Sequence, residues 1–184
     1  MSHQKITSLL FASSLLLGAG SFSVPAFSTT QTPLVTVAGL DHVGINVPDL
    51  NQAVSFFRTT FGATLESDMA PGTIPAAWKT AYNWHQSSEL KHFAMVRLPN
   101  GTGIELFQYS GKQIDHHRPH QDDDAETHIA LKTSDVMAGY QAVKKAGLKT
   151  LSSPVTNADG TQWFYFLTPW GSQIELTGKV KTAD

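Results

Sequence analysis

The sequence predicts an α+β protein made of two tandem βαβββ modules, on three observations. First, a motif recurs. Asp41-His42-Val43-Gly44-Ile45 opens a segment closed by Pro99-Asn100-Gly101-Thr102-Gly103-Ile104-Glu105-Leu106. Thr127-His128-Ile129-Ala130-Leu131 opens a second, closed by Pro169-Trp170-Gly171-Ser172-Gln173-Ile174-Glu175-Leu176. An internal repeat decides the fold class before any single element does. Second, apolar residues alternate at each opening and closing, the period of a half-buried strand. Third, each opening strand is followed by a capped stretch with helical periodicity.

In the first module Val43, Ile45 and Val47 alternate with His42, Gly44 and Asn46. Pro48-Asp49 ends that strand, and Asp49 with Gln52 has the pattern of a capping box. Leu50, Ala53, Val54, Phe57 and Phe61 then fall on one helical face, and Gly62 is the expected stop. Ala63 to Glu66 reads as a short strand. His92 to Leu98 and Gly103 to Tyr109 read as strands joined by a Pro99-Asn100-Gly101 turn. Between Ser67 and Lys91 lies chain that the second module lacks. There Ala76 to Trp84 reads as a short helix bearing Trp78, Tyr82 and Trp84, either a lid or a dimer contact.

The second module repeats the order. Thr127 to Thr133 is a strand, and Ser134 or Asp135 caps a helix to Ala146 with Val136, Tyr140 and Val143 inward. Gly147 stops it. Lys149 to Ser152, Trp163 to Leu167 and Gln173 to Thr177 read as three more strands. The modules span 37–114 and 127–178. A linker of 115–126 joins them, and 179–184 form a tail.

The N-terminus has a different character. Residues 1–28 have the layout of a secretory signal peptide, with Lys5 ahead of a mostly apolar Ile6 to Gly20 and small residues around Ala26-Phe27-Ser28. Residues 29–36 then form a loose leader. This layout predicts a secreted or periplasmic protein, with no membrane association after cleavage. Formal net charge is −2, so no basic field invites nucleic acid. Cysteine is absent, which removes disulfides, thiolate metal sites and a cysteine nucleophile. A hydrophobic content of 41% suffices for a core.

Strand parity carries the chemical argument. If Val43, Ile45 and Val47 pack on the helix, His42 points to the other face with Gly44 and Asn46. Ile104 and Leu106 likewise leave Glu105 on that face, as Ile129 and Leu131 leave His128 and as Ile174 and Leu176 leave Glu175. Two imidazoles and two carboxylates suit one divalent ion: Zn, Ni, Co, Fe or Mn. If each sheet curls into a half-barrel with helices outside, all four side chains enter the cup. Phe107 and Tyr109 share the parity of Glu105, and Asn46 that of His42. With Trp78 and Trp84 they are the candidate substrate-pocket residues. The polar linker from Asp115 to Asp124 holds His116, His117 and His120, but nothing in it fixes a second coordination geometry.

The strand His, the Pro-Asp-Leu helix opening and the closing Pro-x-Gly-x-x-Ile-Glu-Leu resemble the vicinal oxygen chelate superfamily. That group comprises glyoxalases, bleomycin-resistance proteins and extradiol dioxygenases. The resemblance covers about Val37 to Gly178. It implies paired βαβββ modules forming a curled mixed sheet, a half-barrel cup around one metal. The ligand positions of its glyoxalase I and methylmalonyl-CoA epimerase branches match His42, Glu105, His128 and Glu175. It further implies catalytic roles for Glu175 and Glu105, alternating between ligand and base. Members often complete the cup across a homodimer, and sequence does not separate that from an intrachain cup. The expected activity is a metal-dependent isomerase or lyase moving a proton on a small oxygenated substrate. The alternatives are an extradiol-type Fe(II) dioxygenase and a non-catalytic small-molecule binding or resistance protein.

Overall fold

The computed structural model describes residues 33–180. The signal-peptide reading of 1–28, and parts of the leader and tail, lie outside the described residues. The chain divides into two units, Met1–Ala38 and Gly39–Asp184. In the first, the described residues 33–38 form neither helix nor strand.

The first module runs β1 (His42–Asn46), α1 (Leu50–Phe61), β2 (Thr64–Met69), α2 (Ala76–Ala81), β3 (Glu89–Arg97) and β4 (Gly103–Ser110). The second runs β5 (His128–Lys132), α3 (Val136–Lys145), β6 (Val155–Thr156), β7 (Thr161–Leu167) and β8 (Gln173–Lys179). Each module makes its own four-stranded sheet, ordered β1-β4-β3-β2 and β5-β8-β7-β6. β1 pairs with β4, and β5 with β8, in parallel; the other ladders are antiparallel. Each opening strand thus lies beside its module's closing strand, which puts the repeated His and Glu on neighbouring strands.

The capping residues act as their chemistry dictates. The Asp49 carboxylate accepts from the Gln52 N–H at 2.9 Å, and Asp135 accepts from the Ala138 N–H at 2.8 Å. Each satisfies an N–H that the first helical turn leaves unpaired. Gly62 and Gly147 stop the two helices at φ 67° and 73°, in the left-handed region that favours glycine.

Three differences from the sequence reading have physical causes. The strand expected over 149–152 reduces to one bridge, Thr150 to Phe166, and the short β6 replaces it at Val155–Thr156. Pro154 has no N–H to donate at that point in the ladder. β2 extends to Met69 because Ser67, Asp68 and Met69 resume pairing with β3 after a register shift. The short helix in the module 1 insertion forms but stops at Ala81, ahead of Trp84.

The helix-facing sides of both sheets meet in one apolar core. It includes Leu50, Phe56, Phe57, Ile104 and Leu106 from module 1 with Val136, Phe164, Phe166 and Ile174 from module 2. Phe56 and Phe57 pack on Trp170 at 5.3 and 6.2 Å between ring centroids, and Phe61 on Phe166 at 6.4 Å. α1 therefore belongs to both modules. Completely burying a side chain such as Phe57 contributes about 1.5–3 kcal/mol. Because the two helix-side faces are joined, the opposite face of each sheet points away from this shared core.

Candidate metal centre and its two half-sites

On the open face of the first sheet, His42 stands opposite Gly103, and Gly44 opposite Glu105. His42 and Glu105 are thus diagonal neighbours, and the imidazole Nε2 lies 3.4 Å from Glu105 Oε2. The second sheet repeats the geometry. His128 stands opposite Gln173, Ala130 opposite Glu175, and His128 Nε2 lies 3.2 Å from Glu175 Oε2. The residues directly across from the two glutamates are small, Gly44 and Ala130. Two ligand atoms each about 2.1 Å from one ion lie roughly 3.0–3.4 Å apart for bond angles from octahedral to tetrahedral. The 3.4 and 3.2 Å separations of the two pairs fall within that range.

The other ring nitrogen is held differently in the two modules. His42 Nδ1 lies 2.9 Å from the Asp41 carboxylate, and His128 Nδ1 lies 3.2 Å from the Thr127 hydroxyl. Such partners orient a ligating imidazole and set its tautomer. The Asp41 hydrogen bond, followed by the Glu105 charge, raises the His42 pKa above the ordinary histidine value. Each partner is the residue immediately before its histidine. The repeated motif contained that signal, but strand parity drew attention to alternate positions.

Around Glu105, Phe107 stacks on Phe93 and Tyr109 at 6.2 and 6.0 Å. Trp84 meets Tyr109 edge-on at 5.0 Å. Around Glu175, Tyr165 sits edge-on to His128 at 5.0 Å and to Trp163 at 5.5 Å. Burial, and secondly the neighbouring glutamate charge, raise the pKa of both Tyr109 and Tyr165. Both phenols stay protonated near neutrality; the Tyr165 hydroxyl hydrogen-bonds the Glu175 carboxylate. Asn46 continues the His42 face and, with Trp84 and Tyr109, lines a cavity of about 560 Å³. Trp78 does not line it. That ring is 50% exposed and stacks on Tyr82 at 4.5 Å.

The two pairs do not meet within the chain. Among the described residues no group of three or more His, Asp or Glu side chains converges on a metal position. The shared core explains this, since it turns both open faces outward. The His/Asp linker likewise makes no such group among the described residues. There the Asp115 carboxylate lies 2.8 Å from His117 Nδ1, and Asp123 accepts from the His120 N–H.

Residues 39–176 match the sequence model of the glyoxalase/bleomycin resistance protein/dioxygenase superfamily. A 2-epi-5-epi-valiolone epimerase from Actinomyces sp. is 34% identical over 140 residues, covering 73% of this chain and 76% of that protein. Among solved structures, a glyoxalase family protein from Bacillus cereus superposes with a TM-score of 0.65 at 19% identity, covering 82% of this chain and all of the other. The fosfomycin resistance protein FosX from Listeria monocytogenes superposes with a TM-score of 0.54 at 17% identity, covering 79% and 96%.

Proposed function

The chain belongs to the glyoxalase/bleomycin resistance protein/dioxygenase superfamily, and from that premise we propose that it is a divalent-metal-dependent isomerase that inverts a carbon next to a carbonyl on a small polyhydroxylated substrate. The observation that carries this reading is the duplicated His–Glu pair, His42 with Glu105 and His128 with Glu175, at ligand-corner spacing on two open sheet faces. A relative named as an epimerase, 34% identical, favours isomerisation over oxygen insertion or simple binding. FosX, which shares the fold, has been solved with Mn(II).

The donor set suits a hard or borderline divalent ion such as Zn, Ni, Co, Fe or Mn, and one pair by itself is half of it. Since the shared core keeps the pairs apart, a homodimer supplies the other half. The first sheet of one copy faces the second sheet of its partner, and the two-fold axis makes two equal cups. When bound, the ion polarises a chelated carbonyl and acidifies the neighbouring C–H. Glu175 then removes that proton. Glu105, on the opposing wall of the cup, returns one from the other side, and the configuration inverts. Tyr109 donates a hydrogen bond to a substrate hydroxyl, and the Tyr165 hydroxyl holds the Glu175 carboxylate. Phe107 and its stacked neighbours keep water from the exchanging carbon.

The test uses the mature protein with 2-epi-5-epi-valiolone in deuterated water. Deuterium entry beside the ketone, followed by NMR, reads proton transfer. Elemental analysis reads metal, and sedimentation reads oligomeric state. The expected result is a dimer with about one ion per chain, lost in both His42→Ala and His128→Ala. Glu175→Gln is expected to keep metal and lose exchange. Full exchange in Glu175→Gln overturns its role as base, and a fully metallated monomer overturns the shared cup.

A further inference from the structure

The cavity beside Asn46 and Tyr109 holds groups that the proton transfer does not use. It opens at one end of the first sheet's open face, between the segment after α2, the linker and the Trp170 edge. Asn46 and Tyr109 each lie four residues along their strands from His42 and Glu105, about 13 Å away.

The walls of this cavity are held in place by the insertion itself. Asn83 adopts φ 55°, the left-handed region that asparagine tolerates better than most residues, and no other non-glycine residue does so among those described. That bend follows α2, and the Trp84 N–H donates back to the Lys79 carbonyl at 2.7 Å. Lys79 is 5% exposed, and its ammonium donates to the Gln86 carbonyl at 3.2 Å and the Glu89 carboxylate at 3.0 Å. A buried cation with these partners ties both ends of the segment together, because breaking either contact leaves a charge in apolar surroundings. Trp84 is thereby held edge-on against Tyr109.

Arg118 enters from the linker. Its stem passes the Gly171 turn, with Cγ 3.8 Å from where a β-carbon there would sit. Its guanidinium donates to the Asn46 carbonyl at 3.3 Å, which leaves most of its N–H donors unused. Among the described residues no carboxylate forms an ion pair with it. Asp115, the carboxylate of this lining, is taken up by the His117 N–H and ring. Partial burial lowers the Arg118 pKa, though the group remains charged at any ordinary pH. Arg118 is otherwise solvent-exposed at the cavity mouth, and its guanidinium shares the lining with Trp84 and Tyr109; free guanidinium donors in one cavity with aromatic rings suit an anion carried on a ring.

We propose that this cavity binds the anionic end of the substrate, a phosphate or carboxylate paired with Arg118, with a hydroxylated ring lying against Trp84 and Tyr109. This rests on the reading of the first sheet's open face as substrate-binding. It adds that the natural substrate is an elongated anionic polyol rather than a neutral ring alone.

Calorimetric titration of the intact protein with glucose 6-phosphate, glucuronate, glucose and inorganic phosphate tests it. At least one anionic sugar is expected to bind about tenfold or more tighter than glucose or inorganic phosphate. The two anionic sugars distinguish phosphate from carboxylate. Arg118→Gln is expected to lose that advantage while keeping its fold by circular dichroism and its metal content. Trp84→Ala is expected to weaken the sugar anions more than inorganic phosphate. No binding by either sugar anion, inorganic phosphate binding as tightly as both, or an unchanged Arg118→Gln overturns the proposal. Retained binding in His42→Ala supports it, and loss there overturns a cavity independent of the ligand pair. Because Arg118→Gln leaves the His–Glu pairs in place, metal content separates failure of this inference from failure of the isomerase reading.

Discussion

The two modules place a histidine and a glutamate at the same diagonal and surround them differently. In module 1, Asp41 backs His42, Gly103 lies directly across from it, and the Arg97–Glu66 ion pair at 2.6 Å borders the site. In module 2 the equivalent positions hold Thr127, Gln173 and Leu167. Module 2 shelters its pair more closely, with the Glu175 side chain 16% exposed against 24% for Glu105. Module 1 alone carries the α2 insertion that builds the Arg118 cavity. The two modules thus share the His–Glu diagonal and differ in what surrounds it. One is open, charged and equipped with an extra wall; the other is more enclosed and lined by Trp163 and Tyr165.

The largest effect tests whether the halves are truly one body. Phe57→Ala empties a fully buried position where α1 meets both its own sheet and Trp170. A loss of about 3–5 kcal/mol is expected. Chemical denaturation should remain one transition for tryptophan fluorescence and for circular dichroism. Two transitions would mean that the modules fold separately and that α1 belongs to module 1 alone.

The second test compares the partners behind the histidines. Asp41→Asn removes a carboxylate from His42 and is expected to weaken metal binding about 10–100-fold. Thr127→Ala removes only a hydroxyl from His128, so a smaller loss is expected. Competition with a chelator of known affinity measures both. Equal losses would show that the asymmetry in these partners has no bearing on the metal.

The smallest effect concerns space. A β-carbon at Gly103 would lie 2.9 Å from His42 Cβ, 3.0 Å from Met95 Sδ and 3.2 Å from the Asp41 carbonyl. Gly103→Ala should therefore displace His42 and cost about 1–3 kcal/mol. Gln173→Ala, at the matching place in module 2, should cost less, because shortening a side chain creates no clash. Thermal melts of the two variants make the comparison, and the reverse order would remove Gly103 as the residue that seats His42.

Much of the geometry of the candidate site was legible in the chain. A period of two assigns each strand residue to a face, so Val43, Ile45, Ile104 and Leu106 already implied that His42 and Glu105 share the opposite one. The structure places them there, paired as parity required. Phe56 was not legible as core, although it is 6% exposed. It lies off the helical stripe of Leu50, Ala53 and Phe57 and is buried by Trp170 of the other module. The 149–152 strand was misread because alternation alone does not reveal that a strand must also find a ladder, and Pro154 limits the one available. Trp78 and Trp84 had equal claims on the pocket. The end of α2 at Ala81 and the left-handed Asn83 send only Trp84 into the cavity.

By itself the sequence determined the repeat, the element order, the caps and the face on which each candidate ligand stands. These are local properties, governed by side-chain alternation, helical periodicity and the conformational freedom of glycine. Only the tertiary structure decided which faces meet. Either side of each sheet could have been joined to the other module, and the bulk of Phe56, Phe57, Phe61, Phe166 and Trp170 joined the helix sides. Burying those rings gains more than covering the mixed, polar faces that carry His42, Glu105, His128 and Glu175. That preference leaves each His–Glu pair on a face turned away from the shared core.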